Sequence, residues 1–192
     1  MAYCSGTPNR GLILKPKGNW DREDRNYEFE VTGRSDSNYA TDPDTRKSVT
    51  GCRVLLEGTP VMFRSSTQRI VSLSVTESEM RAAVTCAQDM IFTMRILESI
   101  GLKVKLPMIL EPDNQGVVDL ANNWSIGGRT RHVEVTMCYL RELKEQGLLR
   151  IQHIPGTEND ADMHTKNLGG PDFNRHGMTY YGRDEYYRGL GT

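Results

Sequence analysis

The sequence predicts a mixed α/β fold in which a mixed sheet is flanked by helices. Three features predict it. After a polar start, three strand-like runs follow one another, separated by turns that carry Gly or Pro. The hydrophobic period then lengthens to three and four residues over one long segment. Beyond that segment, two short apolar runs alternate with amphipathic stretches, giving the order βββαβααβα.

Residues 1–28 hold Gly6, Pro8, Gly11, Pro16 and Gly18, then the charge run from Asp21 to Arg25, and read as a linker or the end of a preceding module. Phe29 to Ser37 is the first strand, and Thr41-Asp42-Pro43-Asp44 is turn-rich. Val49 to Glu57 and Val61 to Ser65 are the next two strands, joined by Gly58-Thr59-Pro60 as in an antiparallel meander. Met80, Ala83, Ala87, Met90, Ile91, Met94 and Leu97 mark one face of a helix from Thr76 to Ser99. Its methionines read as core. Thr76 and Glu79 have the T-x-x-E spacing of a capping box, and Gly101 ends the helix. Pro107 to Glu111 is a short strand, Asn114 to Ala121 a short helix, and His132 to Gln146 a long helix stopped by Gly147. Leu148 to Ile154 is the last strand and Asp160 to Asn167 a short final helix. Residues 169–192, rich in Gly, Tyr and Arg, read as a tail.

The length of 192 residues suggests one domain with extra ends. Lys and Arg number 24 against 25 Asp and Glu, a net charge of −1, which excludes a strongly basic coat but not a local basic groove. No apolar run is long enough for a transmembrane helix, and residues 1–19 lack the apolar core of a signal peptide. Cys4, Cys52, Cys86 and Cys138 include no CxxC pair, which argues against a zinc site and a dense disulfide framework. The chain reads as soluble and intracellular.

Four acids stand out by position. Asp36 lies at the end of the first strand, Glu79 at the start of the long helix, Asp113 just past the fourth strand, and Asp162 in the last helix. Acids at such places can converge on one edge of a sheet. Convergent carboxylates ionise cheaply only when a cation neutralises them, and Mg²⁺ prefers oxygen ligands. Two such ions about 4 Å apart can clamp the attacking water and the leaving oxygen of a phosphodiester. Spacing alone leaves solvated caps and turns as the ordinary alternative.

Local strings add to this. Ser5-Gly6-Thr7-Pro8 with Gly11-Leu12 resembles a segment linking reverse transcriptase to ribonuclease H. Ser35-Asp36-Ser37-Asn38-Tyr39-Ala40, with Asp42 to Ser48 and Gly51, is similar to a first-strand motif S-D-A-D-W-A-x-D-x-x-x-R-K-S-x-x-G. Ser74 to Met80 resembles S-S-T-E-A-E-Y, Asp113-Asn114-Gln115 matches D-N-Q, and Arg129 to Glu134 resembles R-T-K-H-I-D. Glu158-Asn159 with Ala161-Asp162 and Thr165-Lys166 resembles E-N-x-A-D-x-x-T-K. In this order the blocks resemble the ribonuclease H domain of copia-type LTR retrotransposon polyproteins over nearly the whole chain.

The resemblance implies a ribonuclease H-like fold over residues 29–168, with a five-stranded mixed sheet. It implies Asp36, Glu79, Asp113 and Asp162 as catalytic acids and metal ligands, with two Mg²⁺ ions, or Mn²⁺, per site. The implied reaction is hydrolysis of the RNA strand of an RNA–DNA hybrid, and the implied partner is the reverse transcriptase domain of the same polyprotein. Thr76, Asn114, Gln115 and Arg131 are candidate substrate contacts. The first three suit 2′-hydroxyls, although Thr76 and Asn114 also suit helix caps. Arg46, Lys47 and Arg129, with Arg131, are candidate phosphate contacts.

Some positions depart from the pattern. Asn38 replaces an acid, Tyr39 a Trp, Val75 a Ser, and Cys138 stands where a His is frequent. The stretch after the last strand lacks a His-bearing loop, and neither His153 nor His164 is expected to substitute for it. His132 reads as a capping or packing residue. The competing reading is a catalytically weak or inactive binding module, or a retroelement remnant.

Overall fold

The computed structural model describes residues 26–123 and 131–181, with residues 14, 18, 20, 21, 23 and 24. In chain order the strands and helices are β1 (Glu28–Phe29), β2 (Val31–Asn38), β3 (Val49–Leu56), β4 (Thr59–Thr67), α1 (Val75–Ser99), β5 (Lys103–Val104), β6 (Met108–Pro112), α2 (Gln115–Asn122), α3 (Arg131–Glu145), β7 (Leu149–Ile151) and α4 (Gly170–Tyr181). Two 3-10 turns, Gly156–Glu158 and Asp160–His164, lie between β7 and α4.

The main sheet has five strands in the order β4-β3-β2-β6-β7. β2, β3 and β4 pair antiparallel, whereas β2, β6 and β7 run parallel. This is the mixed sheet expected from three consecutive strands followed by strands reached through helices. β1 and β5 form a separate parallel pair. At two residues each, they are too short to show a period in the sequence. The β3–β4 hairpin turns at Glu57 and Gly58, whose φ values of 51° and 74° suit a primed turn. Thr59 and Pro60, read as turn residues, therefore already belong to β4.

Two glycines show how the sheet is covered. A Cβ on Gly33 would lie 2.4 Å from Met90 Sδ and 2.8 Å from Cys86 Sγ, so α1 crosses β2 in close contact there. A Cβ on Gly51 would lie 2.5 Å from Thr165 Cγ2 and 2.8 Å from the Ala161 carbonyl oxygen. The 3-10 segment thus rests on β3. Helices α2 and α3 pack beside α1, and α4 joins the 3-10 segment. The core lies between sheet and α1, with Val31, Val54, Met80, Met90, Leu110 and Leu140 all buried. The methionine stripe is core, as the sequence suggests.

Further boundaries differ from expectation: the last strand, expected over Leu148 to Ile154, is Leu149–Ile151. The cap of α1 is Ser74, whose Oγ accepts the Glu77 N–H at 3.1 Å, while Glu77 Oε2 accepts the Leu73 N–H at 2.9 Å. The capping pair is therefore Ser74 and Glu77, two residues before the expected Thr76 and Glu79. Ser74 is extended (φ −150°, ψ 160°), the backbone state a capping side chain needs. Glu79 is thereby free of a capping role. The final helix expected over Asp160 to Asn167 is the 3-10 turn Asp160–His164, and α4 occupies part of the stretch read as tail.

Candidate active site

The topology brings two acids together first. β2 and β6 are parallel neighbours with Ser35 opposite Pro112. The next residues, Asp36 and Asp113, extend this register at the carboxyl end of β6. Such an edge, where parallel strands end, is where ligands bind in open α/β sheets. The start of α1 adds Glu79. Asp36, Glu79 and Asp113 each offer a carboxylate oxygen within 4.8 Å of the others. Asp36 and Glu79 are buried and Asp113 is half-buried.

Glu79 is anchored by one oxygen only. Its Oε1 accepts the Ser37 backbone N–H at 3.1 Å, while its Oε2 is buried with no hydrogen-bond partner. Asp36 is held at both oxygens: Thr165 Oγ1 donates to Oδ2, and Lys166 Nζ lies 3.3 Å from Oδ1. Asp162 is not in the trio. It joins through Lys166, whose Nζ is 2.7 Å from Asp162 Oδ1.

Burial pushes all three members of the trio above the ordinary carboxylate range. Glu79 is pushed up to about 8, by burial first and then by the charges of Asp36 and Asp113. Asp36 is raised by burial and by Asp162, with Thr165 and Lys166 opposing. Asp113 is raised by burial and by Asp36, with the Asn159 amide opposing. Lys166 loses hydration, yet its hydrogen bond to Asp162 and the two carboxylate charges raise it above an ordinary lysine. A cluster of acids with raised pKa values fits a cation: the unpartnered Glu79 Oε2 points to a ligand atom, and all donors are hard oxygens.

The other candidates are distributed around this cluster. Asn114 caps α2, its Oδ1 accepting the Val117 N–H at 3.2 Å. Thr76 lies close by, since a Cβ on Gly116 would meet both Asn114 Oδ1 (2.9 Å) and Thr76 Cγ2 (3.2 Å). Gln115 is exposed and donates to Asp119 Oδ1 at 2.8 Å. Arg131 begins α3, but its side chain, like all of Arg129, lies outside the described residues, as does the His132 side chain. Arg46 and Lys47 sit in the loop between β2 and β3. His153 Nε2 is 3.0 Å from the Asp113 carbonyl oxygen, so this residue adjoins the site. His164 instead stacks on Phe63 and bonds the Tyr180 hydroxyl at 2.7 Å.

Sequence reasoning assigned no role to Asn159, Thr165 or Lys166, although all three lie in the E-N-x-A-D-x-x-T-K block. The available signal was the i, i+4 spacing of Asp162 and Lys166. A groove of ≈ 500 Å³ between the end of β4 and α1, lined by Arg64, Gln68, Arg69 and Arg81, was also not foreseen. It is coupled to the acids by hydrogen bonds. Gln68 Nε2 donates to the Ser78 carbonyl at 2.9 Å, and Ser78 Oγ meets Ser37 Oγ at 2.8 Å.

No family model matches the chain. It is 36% identical over 136 residues (71% of this chain, 10% of the relative) to the retrovirus-related Pol polyprotein from transposon TNT 1-94 of Nicotiana tabacum. To that from transposon RE1 of Arabidopsis thaliana it is 30% identical over 173 residues, 90% of this chain and 11% of the relative. The chain thus spans about a tenth of the length of these relatives. Among solved structures, LC11-RNase H1 in complex with an RNA/DNA hybrid superposes with a TM-score of 0.54 at 14% identity, covering 71% of this chain and 94% of that one. The N-terminal ribonuclease H domain of a Mycobacterium tuberculosis protein gives a TM-score of 0.51 at 12% identity, covering 79% and 99%. These likenesses are ones of fold.

Proposed function

Because the chain is a relative of the Pol polyproteins of plant copia-type retrotransposons and has the ribonuclease H fold, we propose that it hydrolyses the RNA strand of RNA–DNA hybrids with a divalent cation, Mg²⁺ or Mn²⁺. The observation that carries this reading is the convergence of Asp36, Glu79 and Asp113, from three separate elements, within 4.8 Å. Two buried acids and a half-buried one this close repel one another, and a structural role would be served better by neutral side chains.

In this reading Asp36, Glu79 and Asp113 hold the cation, with Asp162 beside them. A bound divalent cation supplies activation of water and neutralisation of the leaving oxygen. The chain's own groups set the geometry: the Ser37 N–H orients Glu79, Thr165 orients Asp36, and the Asn159 amide favours the ionised form of Asp113. Thr76, Asn114 and Gln115, at the starts of α1 and α2, meet the minor groove, where the 2′-hydroxyls distinguish RNA from DNA. The arginine-lined groove receives phosphates, which position the duplex without reading it. Arg131 is a further phosphate contact. The domain acts with the reverse transcriptase part of a polyprotein. No helix among the described residues is long and apolar enough to cross a membrane.

The test is cleavage of a hybrid with labelled RNA in Mg²⁺ or Mn²⁺, beside double-stranded DNA, double-stranded RNA and an Asp113→Asn control. RNA cutting confined to the hybrid and reduced more than about 100-fold in the control is expected, the scale of losing a charge-stabilising group at a reaction centre. Equal cutting by the control, or none of the hybrid with either ion, overturns the proposal.

A further inference from the structure

The carboxylate cluster is asymmetric. On the Glu79 side, Oε2 is buried without a partner. On the Asp162 side, protein donors already satisfy the acids. Lys166 Nζ lies 2.7 Å from Asp162 Oδ1 and 3.3 Å from Asp36 Oδ1, and Thr165 Oγ1 takes the other oxygen of Asp36. An ammonium between two carboxylates fills the place of a cation bridging them.

We propose that Lys166 is a resident counter-cation that keeps the resting chain at one divalent ion and must leave Asp36 before a second can bind. This rests on the metal-dependent nuclease reading and deepens it. A divalent ion bridging two carboxylates sits about 2.1 Å from each ligating oxygen for Mg²⁺. The ammonium, at 2.7 and 3.3 Å from two of those oxygens, occupies the same space, so the two exclude each other sterically as well as by charge. The trio site differs. Asp36 can ligate there with Glu79 and Asp113 through a remaining lone pair while Lys166 stays between Asp36 and Asp162. Lys166 is half-exposed on a four-carbon stem directly after the 3-10 turn, so it can swing into solvent while keeping its charge.

The test is calorimetric titration of the full chain with Mn²⁺, without nucleic acid, for the wild type, Lys166→Met and Lys166→Arg. Circular dichroism and thermal melts select folded protein. Asp162→Asn in the Lys166→Met background serves as the ligand control. The wild type and Lys166→Arg are expected to bind one ion. Lys166→Met should bind two, or bind the second about tenfold more tightly or better, as removal of a nearby positive charge demands. The Asp162→Asn change should abolish that gain. Identical isotherms for wild type and Lys166→Met, with at least one ion bound, overturn the role of Lys166 and leave the metal nuclease standing. Binding of no ion by either protein overturns both. If Lys166→Met does not fold, Lys166→Gln replaces it under the same criteria.

Discussion

Glu79, with Asp36 and Asp113 shifted in the same direction, makes the metal-free protein sensitive to pH. Its folded pKa, about 8, lies above the ordinary 4.5 because of burial and the neighbouring Asp36 and Asp113. Between these values the folded state holds a proton that the unfolded state releases. Stability therefore falls as pH rises from about 5 to 8, by an amount on the order of 4 kcal/mol. Glu79→Gln removes the buried charge but keeps the shape. It is expected to flatten the dependence and raise the melting temperature at pH 8, while cutting hybrid cleavage by more than about 100-fold. Thermal melts at pH 5.5 and 8 check the first part. Asp36, Glu79 and Asp113, which the structure brings together, stood out in the sequence because each sits in a recognisable string near an element's end. Lys166 did not, since its role depends on Asp162 and Asp36 meeting across 126 residues of chain. His153 was set aside for a similar reason: its contact with Asp113 exists only once β6 and β7 lie side by side.

At the scale of elements, Gly51 is where the strand and the 3-10 segment meet. It pairs with Asp36 across β2 and β3, and its missing side chain lets Thr165 reach over β3 to the Asp36 carboxylate. Gly51→Ala brings a Cβ within 2.8 Å of the Ala161 carbonyl, a backbone atom that cannot turn away. The expected cost is about 1–3 kcal/mol in urea unfolding, with a parallel loss of cleavage because Thr165 is displaced. A stability loss without an activity loss would separate Thr165 from the orientation of Asp36. The elements themselves were largely readable, because β2, β3 and α1 are long enough to show their periods. The capping register of α1 was not. Both Ser74–Glu77 and Thr76–Glu79 satisfy the same spacing, and only the backbone conformation of Ser74 distinguishes them.

Across the whole molecule, the face of the sheet opposite α1 is closed by a buried ionic cluster. Arg53, 1% exposed, pairs with Asp160, and Arg34 bonds both Asp160 (3.1 Å) and Glu111 (2.9 Å). Tyr180 of α4 lies over the Arg53 guanidinium, 5.3 Å from it to the ring centroid. This cluster fixes the 3-10 segment, and with it Thr165 and Lys166, against β2 and β3. Asp160→Asn leaves Arg53 buried without its counter-ion and is expected to cost about 3–5 kcal/mol, read by denaturant titration. Its alternation with Asp162 concealed the division of labour, since Asp160 pairs with the buried Arg53 and Asp162 with Lys166. The five-stranded mixed sheet was implied by consecutive runs and a family resemblance. The docking of α4 was not, because it includes scattered contacts of Tyr180 with His164, Arg53 and Phe63 that meet only in the folded chain.

The most direct test of the central claim, that Asp36, Glu79 and Asp113 form a cation centre, is an anomalous difference map at the manganese edge from crystals of the chain grown with Mn²⁺. A peak ligated by those three carboxylates, lost in Asp113→Asn, is expected. Manganese bound elsewhere, with the three acids unliganded, would contradict it.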